Sequence, residues 1–89
     1  MDDLLTLSEW QLAHELPGAV VLVARELGKG DVIEGLKIIA RDTSRWPGRV
    51  AAWLLADREE LERLLGELDS GLRPRERFVD EVRKHASPA

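Results

Sequence analysis

The chain has no cysteine and no tyrosine, a single phenylalanine, a single methionine and only two histidines. Without thiols it can form neither a disulfide framework nor a thiolate metal site, which suits a reducing compartment and makes the cytoplasm the expected location. Seven valines, three isoleucines and four aromatic residues stand against fifteen leucines. A sheet favours β-branched and aromatic side chains, so this balance predicts an all-α protein. No apolar run approaches the roughly 18 residues of a membrane span. The acidic Met1-Asp2-Asp3 is unlike the basic start of a secretory leader, so neither membrane insertion nor export is expected.

Catalytic signatures are equally sparse. There is no His-Glu-x-x-His, and Gly28-Lys29-Gly30-Asp31 lacks the glycine spacing of either nucleotide-binding fingerprint. His14 and His85 stand far apart, so a small enzyme would need a cleft that carries one of them to carboxylates. Adjacent acids such as Glu59-Glu60 point to different sides of a helix and read as a solvated face. The expectation is a protein that is not an enzyme and uses no metal or cofactor.

What the chain does have is length for one helical domain, residues 1–89, and segregated charge. A chain of 89 residues buries only about 60 to 65% of the surface its unfolded form exposes, so its core is modest. The net charge of −4 divides into blocks: residues 1–36 carry −5, 37–53 carry +3, 57–69 carry −4 and 73–84 carry +2. Such blocks either satisfy one another inside the fold or present faces of opposite sign to partners.

Helical spacing is densest in residues 45–68. Val50, Trp53, Leu54, Leu61, Leu64, Leu65 and Leu68 draw one apolar stripe, which predicts the central element with Trp53 in the core. Pro47 suits a first helical turn, with Ser44 as a candidate cap. Asp57-Arg58-Glu59-Glu60 has the form of an N-cap followed by Glu, so a break into two helices is favoured over one continuous helix.

The same logic places the other elements. Ser8 and Gln11 predict a first helix from about Glu9, ended by Leu16-Pro17-Gly18 as a turn. Ala19-Val20-Val21-Leu22-Val23 would serve a strand or a helix; continued to Ala24 and Leu27 it reads as a buried helix, with Gly28 as its C-cap. Asp31 and Glu34 open a third helix reaching about Asp42, in which Gly35 permits a close helix crossing. Asp69-Ser70-Gly71-Leu72-Arg73-Pro74 is a stop and turn, Gly71 supplying the left-handed residue. Phe78, Val79 and Val82 then face the core from a last helix ending near His85. The sum is a compact bundle of five or six short helices.

Ala40, Ser44, Val50, Trp53 and Leu54 resemble a helix-turn-helix signature. The chain departs from that pattern at Ser44, where glycine is usual, and at Arg45, where an apolar residue is usual. The resemblance implies residues 31–42 as the supporting helix and 47–56 as the recognition helix, with Lys37, Arg41, Arg45 and Arg49 as candidate nucleic-acid contacts. In the competing structural reading, Lys37, Arg41 and Arg49 pair with the acidic helix 57–69.

Trp46, Trp10 and Leu72 are the candidate protein-interaction residues. Trp46, beside Pro47 and flanked by arginines, is either a lid over the core or an exposed anchor; the lid is favoured. The leading expectation is therefore a small regulator, adaptor or inhibitor acting through protein–protein contact, with a homodimer among the arrangements. A DNA-binding transcriptional regulator centred on residues 36–55 is the alternative.

Overall fold

The computed structural model describes residues 15–86, and those residues form five helices and no strand. They are α1 (Leu16–Leu27), α2 (Val32–Ile39), α3 (Trp46–Ala56), α4 (Arg58–Asp69) and α5 (Glu76–Ala86). Val20 to Val23, the stretch open to a strand reading, is helical. The expected helix from Glu9, together with Trp10 and His14, lies outside the described residues.

Residues 16–18 do not form the expected turn. Glu15 already has helical dihedrals (φ −71°, ψ −45°), and Pro17 falls in the first turn of α1. There the missing N–H removes no intrahelical bond, so proline and helix are compatible. The central element is α1 rather than the expected residues 45–68. Eight of the twelve residues of α1 are buried, and α1 packs on each of the other four helices, whereas α4 contributes one buried stripe, Leu61, Leu64 and Leu68.

Short-range chemistry explains most boundaries. The Asp31 carboxylate accepts from the Glu34 N–H at 3.3 Å, and Asp57 does the same for Glu60 at 3.2 Å, so both expected caps are formed. Each such cap contributes about 1 kcal/mol. The Asp57 cap coincides with a backbone at φ −125°, ψ 86°, which ends α3 and starts α4: the chain breaks here. Helix α2 stops at Ile39, short of Asp42. Ser44 does not cap α3; its hydroxyl and N–H both donate to Asp42 Oδ1, at 2.6 and 3.0 Å, and Arg45 takes the N-cap position. Gly28 takes the C-cap position of α1 as expected, at φ −87°, and the positive φ of that turn falls on Lys29 (51°) and Gly30 (102°); Gly71 (115°) supplies the left-handed residue of its own turn.

Two glycines set how close the helices come. A Cβ on Gly35 would lie 1.9 Å from the Ala24 carbonyl oxygen, so α2 crosses α1 backbone to backbone, as the glycine suggested. A Cβ on Gly48 would lie 1.7 Å from the Asp42 carbonyl oxygen, so the start of α3 is pressed against the α2–α3 connection. Around these crossings the core closes with Leu36 and Ile39 of α2, Ala51 and Leu54 of α3, and Phe78, Val79 and Val82 of α5.

Trp53 is not in that core; it is 43% exposed. The stripe that included it assumed one register from Val50 to Leu68, and the break at Asp57 resets that register. Within α3 the inward face consists of Pro47, Gly48, Ala51 and Leu54. Those small residues hold the helix too close to its neighbours for an indole, and at 100° per residue Trp53 falls outside their arc.

Candidate functional site

Helix α3 reads Trp46-Pro47-Gly48-Arg49-Val50-Ala51-Ala52-Trp53-Leu54-Leu55-Ala56, with Arg49 as its one charged residue. A helix this apolar on every side ordinarily sits wholly inside a protein. Here the side opposite the core, Arg49, Ala52, Trp53 and Ala56, is exposed, and Val50 and Leu55 flank it half-buried. Trp53 is the most exposed large apolar side chain among the described residues, followed by Leu27. No motif in the sequence marks this surface. The signal was the near absence of charge along α3, which periodicity alone had read as core.

Trp46 is engaged within the fold. Its ring meets Phe78 edge-on, with centroids 6.4 Å apart at 87°, and its indole N–H donates to Glu81 Oε2 at 3.1 Å. The half-buried ring thus ties the start of α3 to α5, as a lid does. Leu72 is half-buried against Gly18 and lines a groove of about 380 Å³ with Leu22, Arg25, Leu68, Asp69, Arg73 and Pro74. The cations of that groove already have partners. Arg25 lies 3.5 Å from Asp69, and Arg73 donates to the Leu72 and Leu68 carbonyls at 3.0 and 3.3 Å.

The four basic candidates surround the α2–α3 connection, residues 40–45, which is longer than the three- or four-residue turn of a helix-turn-helix. Lys37 pairs with Glu34 at 3.3 Å, one turn away on its own helix. Arg49 donates to the Ser44 carbonyl at 3.0 Å. Neither reaches α4, whose Glu60 and Glu67 bind Arg63 on the same helix. The expected pairing of Lys37 and Arg49 with the acidic helix is therefore not made: Glu60 and Glu67 are matched locally and Asp69 from α1. Arg41 and Arg45 are exposed, with Asp42 between them in the chain. The Ser44 hydroxyl, and after it the Ser44 N–H, hold the Asp42 carboxyl below the usual carboxylate range, so it stays charged beside the arginines.

Three long-range contacts escaped the sequence entirely. Glu15, only 5% exposed, accepts from the Arg75 N–H at 3.1 Å and lies 3.3 Å from Arg75 Nε, so a buried carboxylate just ahead of α1 holds the entry to α5. Arg83 of α5 grips Glu26 of α1 through two bonds of 3.2 and 2.9 Å. Hydrogen bonding to Glu26 raises the pKa of that guanidinium further. His85 Nε2 lies 2.9 Å from the Ile39 carbonyl at the end of α2. No local pattern announces any of these, since each joins residues 46 to 60 positions apart.

Among the described residues no helix is long and apolar enough to cross a membrane, and no three His, Asp or Glu side chains converge as metal ligands. Comparison of the chain with protein-family models, with curated proteins and with solved structures finds no match.

Proposed function

We propose that this chain is a small non-enzymatic binding domain, a cytoplasmic regulator, adaptor or inhibitor, that acts through protein–protein contact on the outer face of α3. One observation supports the reading above others: an indole left 43% exposed on a helix with a single charge, among exposed Ala52 and Ala56. Tryptophan dominates binding hot spots because it buries much area at little conformational cost. The alanines beside it leave room for a partner's side chains. Arg49 supplies a charge at the rim, as such patches commonly do.

Photo-crosslinking in the host cell tests this. A crosslinking residue at position 53 should trap a discrete protein adduct that the same residue at exposed Glu62 or Lys84 does not. Equal labelling at all three positions ends the reading.

The DNA-binding alternative draws on exposed Arg41 and Arg45. It asks α3 to enter a groove with an apolar outer face and a charged Asp42 beside its arginines, where readers of DNA carry a basic surface. Binding to a duplex at low salt, with a salt slope that falls in Arg45→Ala/Arg49→Ala, would give the alternative the lead.

A further inference from the structure

We infer that the occupant of the α3 face is a second copy of this chain, docked antiparallel, α3 against α3. The inference rests on the reading of α3 as a docking surface and adds the partner. A two-fold interface needs a patch complementary to itself, because each residue meets its counterpart's surroundings across the axis. The outer face of α3 has that form. Its N-terminal end is basic, with Arg41, Arg45 and Arg49 against the single Asp42. Its C-terminal end runs into Asp57 and Glu59 against the single Arg58, Glu60 being bound by Arg63 on its own helix. Between the two ends the surface is Ala52, Trp53 and Ala56. With the axis near Trp53, antiparallel pairing sets Arg49 opposite the partner's α3 C-terminus and Arg45 opposite the start of its α4. Arg49 then meets Asp57 and the negative end of the partner's α3 dipole, and Arg45 meets the Glu59 carboxylate. A parallel arrangement would stack like charges at both ends. The two indoles meet at the centre, and the alanines let the backbones approach.

The face is one helix of 11 residues, less than the roughly 800 Å² per partner of a standard stable interface, so the association belongs to the micromolar class. Sedimentation equilibrium on the full chain, from about 1 μM to about 500 μM, should show the mass climbing from 10.0 kDa toward twice that value. Trp53→Glu and Ala52→Glu, both at exposed positions where circular dichroism checks that the fold is kept, should each weaken association by about 30-fold or more. Arg45→Glu should weaken it less, and Arg45→Glu/Glu59→Arg should recover part of that loss, because the reversed charges meet again across the axis. High salt should loosen the dimer.

A constant 10.0 kDa throughout overturns the inference. So does a dimer indifferent to Trp53→Glu and Ala52→Glu. A monomer whose position 53 still traps a different protein in the cell removes self-association and leaves the docking face intact; a monomer that traps nothing removes both.

Discussion

Helices α1 and α3 are alike in composition and opposite in fate. Leu16–Leu27 and Trp46–Ala56 both carry a proline in the first turn and little charge. Yet α1 is buried along most of its length and α3 shows half of itself to water. The difference lies in what stands on the second side. Helix α1 is covered by all four other helices and by Leu72 and Pro74, whereas α3, though it meets each of the others, keeps Arg49, Ala52, Trp53 and Ala56 uncovered. Apolar composition therefore marks a helix as wanting cover on two sides without saying whether the fold supplies both.

The sharpest way to break the comparison is at the crossing that seats α1. Gly35→Ala drives a Cβ into the Ala24 carbonyl, and backbone on both sides cannot yield locally. Urea unfolding should show a loss of about 4 kcal/mol or more. Next in size is a contrast between neighbours on α3. Leu54→Ala, on the wholly buried inner face, should cost about 3 kcal/mol. Trp53→Ala, the larger truncation, should change monomer stability by less than about 1 kcal/mol at concentrations below association. Equal losses at the two positions would mean that α3 has no free side.

A smaller effect is expected at the lid. Trp46→Phe keeps an aromatic ring against Phe78 and removes the bond to Glu81. It should cost about 1 kcal/mol in chemical denaturation, and adding Glu81→Ala should cost little more, since one bond is removed in both.

The smallest concerns Asp42. Its pKa is depressed in the folded chain, so the associated stability is present above the ordinary carboxylate range and is lost as pH falls through the folded value. Ser44→Ala removes the hydroxyl donor, the larger cause, and leaves the N–H. The Asp42 carboxyl followed by NMR should then titrate at higher pH, and an unmoved titration would show that the hydroxyl is not the donor.

The legible parts of this fold share a length scale. Asp31 and Asp57 were readable as caps because cap and N–H are three residues apart. Phe78, Val79 and Val82 were readable as the face of α5 because the positions around them, Glu76, Arg77, Asp80, Glu81, Arg83 and Lys84, are charged. Residues 16–18 resemble a stop in the sequence because proline both ends helices and opens them, and the backbone beside it decides which. On α3 the reading failed differently. A helix apolar on all sides has no phase, so Trp53 and Leu54 looked alike although one faces water and the other the core. Trp46 and Leu72 were noticed for their setting, while the surface that stands out in three dimensions centres on Trp53.

By itself the amino-acid sequence determined the helical class, the two aspartate caps, the break after Ala56 and the inward face of α5, because those follow from contacts within a turn or two of helix. Tertiary structure alone decided that α1 is the centre, that the Glu15 carboxylate is buried on the entry to α5, and which side of α3 is left open. Those outcomes depend on which surfaces meet across tens of residues, and close packing admits one arrangement where local propensity allows several.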